Sequence, residues 1–271
     1  MEDSAESSEP RFQFGANWSR FLTTLTRERI DTAQRSLAEF LGVSDLGGKS
    51  FLDVGSGSGL FSLAARRLGA RVHSFDYDPQ SVACTRELRQ RYFPDDSQWK
   101  AEQGSVLDAA YVKSLGTFDV VYSWGVLHHT GRMWDALEAV TTVVAPQGAL
   151  YVAIYNDEGL ASRCWWGVKR LYCSVPRALQ PLVLGPAALR LWGPTIAKDL
   201  LRGRPLHTWR EYHRERGMSA WHDVVDWVGG YPFEVAKPEA IREFYAQRGF
   251  ELQRLHPRTG RGCNEFLFVR S

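Results

Sequence analysis

The sequence predicts an α/β fold in which a mostly parallel β-sheet is covered by helices on both faces. Short apolar runs that are typical of buried strands alternate with segments of helical periodicity. Glycine or proline stands at many of the boundaries between them. Because a helix that joins two parallel strands crosses over in a right-handed sense, this alternation predicts one sheet with a helical layer on each side.

The individual elements follow from this pattern. Apolar residues at three- and four-residue steps between Arg11 and Leu41 predict N-terminal helices. Strands are predicted over residues 50–54, 71–75, 118–123 and 149–155, and helices over residues 60–68, 79–92 and 133–144. The alternation stops at residue 156 and resumes with a helix over 238–248, followed by strands over 250–255 and 265–270.

The interruption is an insertion with its own composition. Residues 156–235 show no clear strand and contain six prolines, most of them among short helical pieces. We expect a helical cap above the carboxyl edge of the sheet. The predicted organisation is a disordered tail over 1–10, helices over 11–48, the core over 49–155, the cap over 156–235 and the end of the core sheet over 236–271.

Composition narrows the class of protein. The chain has 271 residues, 44% hydrophobic and 24% charged, which is typical of a globular domain. A net charge of +2 gives no global field that would attract nucleic acid or acidic membranes. The four cysteines form no C-x-x-C pair and no zinc-type spacing, so we expect buried thiols and no metal site. The polar N-terminus and the lack of a long apolar stretch predict a cytoplasmic protein.

A glycine-rich turn follows the first predicted strand. Gly55, Gly57 and Gly59 allow the backbone to approach a ligand closely, and the next helix begins with free N–H groups. A dinucleotide fingerprint that starts at Gly55 would need glycine at position 60, where Leu60 stands. Asp53 suits a cationic amine, such as that of a methionine moiety, and would repel a pyrophosphate. The turn therefore favours a cationic cofactor over a dinucleotide.

An acidic residue is expected at the end of the second strand, where it can accept hydrogen bonds from both hydroxyls of a ribose. Asp76 stands there, and Asp78 competes for the role. We favour Asp76, because Asp78 followed by Pro79 suits a helix N-cap. Tyr77 is a candidate for packing against an adenine, although it could equally be a surface aromatic residue.

These residues resemble a known family. The stretches from Phe51 to Gly59 and from Phe118 to His129, with Asp76 between them, are similar to class I S-adenosylmethionine-dependent methyltransferases, and most of all to ubiquinone-type O-methyltransferases. The resemblance implies a Rossmann-like sheet of seven strands with the last strand antiparallel. It also implies S-adenosyl-L-methionine as the cofactor.

Further binding residues are implied by the same resemblance. In that family the loop after the third strand holds the adenine, often through an acidic residue after a glycine; here Ser105 follows Gly104. Asp108 or the backbone around Val106 could make that contact instead. The expected cofactor-binding set is Asp53, Gly55, Ser56, Gly57, Gly59, Asp76, Tyr77, Ser105, Val106, Ser123 and Trp124.

The acceptor side is expected at the carboxyl ends of the fourth and fifth strands. His128 and His129 follow the fourth strand, and a histidine is the natural base at neutral pH. Tyr155 ends the fifth strand and could help. The alternative is that one or both histidines only pack against the cofactor or bond a backbone carbonyl.

The insertion supplies a predicted lid and a biased charge. Residues 216–218 and 223–234 are dense in polar, aromatic and turn residues and could fold back over the site. Between Gly159 and Gly217 eleven basic residues stand against three acidic ones, interleaved with apolar residues. This composition suits a solvated basic face, a membrane interface or lipid-like acceptor, or an RNA-binding surface.

Three functions remain open. We favour methylation of an oxygen or nitrogen on a small apolar or aromatic acceptor, with no nucleic-acid partner. A nucleic-acid methyltransferase is second, because the Asn/Asp-Pro-Pro-aromatic element of amino-group DNA methyltransferases is missing after the fourth strand, where Ser123–Val126 stands. The third is a non-catalytic cofactor-binding protein.

Overall fold

The computed structural model describes residues 12, 14–210, 220–260 and 262–271. They form two compact units. The larger unit contains Phe14–Gly159 and Glu234–Ser271. The smaller unit contains Leu160–Phe233 together with Phe12. No helix in these ranges is both long and apolar enough to cross a membrane.

The larger unit is built on a seven-stranded sheet. Its strands are β1 (Ser50–Val54), β2 (Arg71–Asp76), β3 (Trp99–Gln103), β4 (Phe118–Trp124), β5 (Val144–Tyr155), β6 (Phe250–His256) and β7 (Cys263–Arg270). Their order is β3-β2-β1-β4-β5-β7-β6. The first five strands are parallel, and β7 is antiparallel to both β5 and β6. The predicted sheet with an antiparallel last strand is confirmed.

The strand order determines where the sheet has a crevice. Strand β1 lies between β2 and β4, so the direction in which successive strands are added reverses there. The helices that follow β1 and β4 pack on opposite faces of the sheet, and this opens a crevice at the carboxyl ends of the strands. The residues that follow β1, β2 and β4 therefore meet at one edge.

Seven helices are described in the larger unit: α1 (Gly15–Thr23), α2 (Arg27–Leu41), α3 (Leu60–Arg67), α4 (Pro79–Tyr92), α5 (Ala109–Ser114), α6 (Met133–Thr142) and α10 (Pro238–Ala246). Side chains alternate between the two faces of each strand. Phe51 and Val120 contribute to a core that includes residues of α2, α3 and α4. Leu52 and Val121 contribute to the core with α5, α6 and α10. Both faces of the sheet are thus covered, as predicted.

The structure differs from the predicted elements in three places. Strand β5 begins at Val144 and not at residue 149, and α6 ends at Thr142. Strand β3 was not predicted from the sequence. It lies at the edge of the sheet and buries only Trp99 and Ala101, so it has no apolar run. Helix α5 has only six residues, too few for a periodic pattern.

The smaller unit is helical in its described residues. Its named helices are α7 (Leu160–Ser174), α8 (Gln180–Leu201) and α9 (Ala220–Gly229). They bury a separate apolar cluster that includes Tyr172, Leu184, Trp192, Val224 and Val228. The predicted position of this insertion above the carboxyl edge of the sheet stays a prediction.

Candidate active site

The glycine-rich turn between β1 and α3 is held at the end of β2. The backbone N–H groups of Gly55 and Ser56 both donate to the carbonyl of Phe75, at 2.9 and 3.1 Å. Gly55 and Gly57 have φ angles of +78° and +54°, which L-residues rarely adopt. The turn therefore needs glycine for its backbone conformation.

Packing demands glycine at the same positions. A Cβ atom on Gly55 would lie 2.4 Å from Cγ1 of Val126, and one on Gly57 would lie 3.1 Å from the indole of Trp18. The N–H of His129 donates to the carbonyl of Val126 at 2.9 Å. Val126 therefore joins the glycine turn to the histidine segment after β4.

Asp76 is the acid that faces the turn. Its Oδ2 accepts from the N–H of Gly57 and its Oδ1 from the N–H of Asp78, each at 2.9 Å. Burial raises the pKa of Asp76 to about 6, and these backbone N–H donors oppose the rise. The side chain is partly exposed, so the carboxylate can also accept from a ligand hydroxyl.

The competing acid, Asp78, has two structural roles. Its Oδ1 accepts from the N–H of Gln80 at 2.8 Å, which caps α4 as the sequence predicts. Its Oδ2 accepts from the N–H of Gly15 at 2.9 Å and so ties the start of α1 to α4. Both oxygens of Asp78 are thereby engaged in holding helices.

The predicted acceptor residues are brought together. The ring centroids of His128 and Tyr155 are 4.1 Å apart, those of His129 and Tyr155 are 5.6 Å apart, and those of the two histidines are 4.5 Å apart. His128 is completely buried, whereas His129 and Tyr155 are partly exposed. Of the two histidines, only His129 presents a surface to an acceptor.

Sequence reasoning missed the contribution of α1 and of the residue before it. The ring of Phe14 lies 5.0 Å from that of His129. Trp18 packs against Gly57, and Gly15 is bonded to Asp78. Helical periodicity predicts a helix here, but nothing in the local sequence indicates that it contacts the glycine turn.

Glu234 is a second contribution that sequence reasoning misplaced. Its sequence context predicts that it is part of the lid, but it belongs to the larger unit. Its N–H donates to the carbonyl of His128 at 3.0 Å, and its carboxylate accepts from the N–H of Met133 at 2.9 Å. Burial raises the pKa of Glu234, and the N–H of Met133 opposes this. Glu234 thus fixes the backbone behind the histidines.

Comparisons with known proteins agree with this geometry. Residues 52–150 match a family model described as a methyltransferase domain. Ubiquinone biosynthesis O-methyltransferase of Xanthomonas oryzae pv. oryzae is 32% identical over 177 residues, which cover 65% of this chain and 62% of that protein. Ribosomal protein L11 methyltransferase of Methylococcus capsulatus is 42% identical over 71 residues, 26% of this chain and 24% of that protein. The chain spans less than two thirds of the length of these relatives.

Solved structures share the fold. Magnesium protoporphyrin IX methyltransferase from Synechocystis PCC 6803, with bound SAH, superimposes with a TM-score of 0.56 at 16% identity and covers 94% of both chains. PKMT2 from Rickettsia typhi, in complex with AdoHcy, gives a TM-score of 0.58 at 12% identity, over 88% of this chain and 52% of that one. This chain contains a class I S-adenosylmethionine-dependent methyltransferase domain.

Within the methyltransferase domain, the predicted contact of Asp53 with a cationic amine requires a correction. Its side chain is only 2% exposed and accepts a hydrogen bond from Ser62 of α3. Ser62 is bonded to Ser74 at 2.7 Å, and the indole N–H of Trp99 donates to Ser74 at 3.0 Å. Burial raises the pKa of Asp53 to about 7. The carboxylate therefore anchors α3 to the sheet and does not present the surface that direct contact with an amine would require.

Ser123 and Val106 are also buried. The hydroxyl of Ser123 donates to the carbonyl of Val54 at 3.0 Å and links β4 to β1, so its side chain is not available to a cofactor. The side chain of Val106 belongs to the apolar core, which leaves its backbone as the group that could contact an adenine. Asp108, the alternative, accepts from the N–H groups of Ala110 and Tyr111 and caps α5.

The remaining predicted binding residues lie on the surface or in the turn. Tyr77 and Trp124 are 53% and 45% exposed, so both can contact a ligand. Ser56 is bonded to Thr85 at 2.9 Å, and Gly59 precedes the first residue of α3. Ser105 accepts from the N–H of Leu107 at 3.2 Å and closes its own turn.

The predicted lid is only partly described. Residues 216–218 lie outside the described residues. Residues 223–233 belong to the smaller unit, in α9 and the segment that follows it. Their closure over the methyltransferase site stays a prediction.

Proposed function

We propose that this chain transfers the methyl group of S-adenosylmethionine to an oxygen or nitrogen atom of a small apolar or aromatic acceptor. The observation that carries the proposal is the hydrogen bond from Gly57 to Asp76, which joins the glycine turn to an acid at the crevice. The curated relatives named ubiquinone biosynthesis O-methyltransferase favour an oxygen acceptor.

The residues at the crevice fit this cofactor. Asp76 offers two carboxylate oxygens to the ribose hydroxyls, beside the glycine turn to which it is hydrogen-bonded. A local negative charge suits a sulfonium cation and disfavours a pyrophosphate. When bound, S-adenosylmethionine supplies an electrophilic methyl group.

His129 is the proposed acceptor-side base. It is the partly exposed histidine of the pair, and it lies one turn beyond Val126, which contacts the glycine turn. The imidazole of a histidine is suited to removing a proton from a hydroxyl at neutral pH. Tyr155 and Phe14 border its ring and orient it, and buried His128 packs against both His129 and Tyr155.

The experiment that tests this function is a methyl-transfer assay on the full chain with labelled S-adenosylmethionine. The acceptor panel contains phenols and catechols of increasing apolar size, aromatic amines, and total RNA. We expect label in a phenolic or amine acceptor and none in RNA. Asp76→Ala, which removes the proposed ribose contact, is expected to reduce that label strongly when S-adenosylmethionine is limiting.

Two other outcomes would replace the proposal. Label in RNA and in no small acceptor would assign the chain to the nucleic-acid methyltransferases. Tight binding of S-adenosylmethionine, measured by calorimetry, without turnover on the whole panel would make it a cofactor-binding protein without catalysis.

A further inference from the structure

Helix α8 of the smaller unit is apolar on both its buried and its exposed face. Leu184, Ala187 and Trp192 are buried in the apolar cluster of this unit. On the opposite side, Leu182 and Leu189 are 72% and 71% exposed. An ordinary surface helix has polar residues on that side, so the exposed leucines are not explained by the packing of the unit.

The exposed leucines form a line. Leu182, Leu189 and Leu200 follow one another at seven and eleven residues, close to two and three whole turns, so they lie on one face. Leu200 is 58% exposed. The line extends about 27 Å along the helix at 1.5 Å per residue. Pro186 and Gly193 fall between the leucines on this face and add no polar group.

The charge around this face has one sign. From residue 176 to residue 205 the sequence has five basic residues and one acidic residue. The acidic one, Asp199, is buried and accepts from both the N–H and the hydroxyl of Thr208, each at 2.8 Å. Arg190 and Lys198 are exposed on α8 itself. At 100° per residue, Arg190 lies beside the line of leucines and Lys198 lies further round the same side of the helix, so the surface is apolar along its centre and basic on one side.

We infer that this face of α8 docks on an anionic lipid bilayer and lies in the plane of the membrane surface. Exposed leucines enter the boundary between headgroups and acyl chains, while arginine and lysine pair with anionic headgroups. A second copy of this chain fits less well, because pairing two such faces would bring like charges together. This inference does not depend on methyl transfer, so the two can fail separately.

Vesicle sedimentation with the full chain tests the inference. The probes are vesicles of phosphatidylcholine alone and of phosphatidylcholine mixed equally with phosphatidylglycerol, at low and at physiological salt. We expect at least about tenfold stronger partition into the mixed vesicles, weakened by salt. Equal partition into both vesicles, or none into either, would overturn the proposal.

Two variants locate the surface. Leu182→Ser combined with Leu189→Ser and Leu200→Ser is expected to weaken partition into the mixed vesicles by at least about tenfold, since three exposed apolar side chains lose their transfer into lipid. These positions are exposed, so the fold should be retained, which circular dichroism would verify. If the native chain is a dimer that this variant dissociates, and neither binds vesicles, the face is an interface between copies.

The charge variant has a matched control. Arg190→Glu combined with Lys198→Glu should abolish the preference for anionic vesicles. Lys113→Glu combined with Lys237→Glu makes the same change in net charge at exposed positions of the larger unit. We expect the control to keep most of the preference. An equal loss in both variants would show attraction by net charge alone and would overturn the docking face.

Discussion

The backbone N–H of Gly57 donates to the carboxylate of Asp76 at 2.9 Å. The bond joins the turn after β1 to the end of β2, two segments that parallel pairing already brings side by side. It orients the acid towards the crevice while the turn stays in a conformation that only glycine adopts easily. The proposed ribose contact and the shape of the turn therefore depend on the same carboxylate.

The first prediction concerns this acid. Asp76→Ala should weaken the binding of S-adenosylmethionine by about 1.5–3 kcal/mol, because charge-assisted hydrogen bonds to the ribose are lost. Isothermal titration calorimetry measures it, and the exposed Asp45→Ala serves as a control for net charge. Unchanged affinity in Asp76→Ala would mean that another residue holds the ribose.

The second prediction separates packing from backbone strain in the glycine turn. Gly55→Ala places a Cβ atom 2.4 Å from Val126, whereas Gly116→Ala, at a similar φ of +76°, meets nothing within 4 Å. The left-handed conformation alone should cost each variant about 1–2 kcal/mol of unfolding free energy. Gly55→Ala should cost more and also weaken cofactor binding. Equal losses in urea unfolding, with equal cofactor affinity, would contradict the close contact.

The third prediction addresses the chemistry. With a hydroxyl acceptor, His129→Ala should slow turnover by about 10²–10⁴-fold while cofactor affinity is unchanged. His256→Ala, a histidine on β6, is the control. An acceptor that is already a thiolate or a free amine needs no base, and the effect should then shrink. Near-normal turnover on a hydroxyl acceptor would make His129 a packing residue and move the search to Tyr155.

The fourth prediction concerns pH and the buried Asp53. Its pKa rises from 3.8 in the unfolded chain to about 7 in the folded protein. Between pH 3.8 and about pH 7, therefore, the folded state binds this proton more tightly than the unfolded state does. Its contribution to stability is present below pH 4 and is lost as the pH rises through about 7. Asp53→Asn, which mimics the protonated acid, should be more stable than the native chain at pH 8, by on the order of 2 kcal/mol.

Urea unfolding of both proteins at several pH values checks this. The advantage of Asp53→Asn should be clearly smaller at pH 5 and should disappear near pH 4, where the unfolded acid is protonated as well. An advantage of equal size at pH 5 and pH 8 would show that the titration of Asp53 is not its cause.

The fifth prediction concerns Lys169, a buried cation of the smaller unit. Its ammonium lies 4.2 Å from the ring centroid of Trp227 and 4.7 Å from that of Phe233, and it donates to the carbonyl of Trp227. Burial lowers its pKa from 10.5 to about 7. Because the unfolded chain then binds more protons, stability should rise as the pH increases from about 7 towards 10.

Lys169→Met keeps the length of the side chain and removes the charge. We expect it to flatten the rise in thermal stability between pH 7 and pH 10. Lys198→Met, at an exposed position of the same unit, should leave that rise unchanged. A persistent rise in Lys169→Met would assign the titration to another group.

The sequence by itself determined the alternation of strands and helices, the glycine turn, and Asp76 and the histidine pair as candidate site residues. These are local signals: apolar periodicity fixes which residues are buried, and a left-handed turn requires glycine. Strand β3 was missed for the same reason, because an edge strand with two buried side chains has almost no apolar pattern.

Only the tertiary structure decided which way side chains face once the elements pack. Asp53 and Ser123 stand at the expected strand ends, yet both are buried and hold elements together. Trp18 reaches Gly57 from a helix 39 residues earlier in the chain, a contact with no local signature. Burial and long-range contact depend on the summed packing of many residues, and this is why no short motif reveals them.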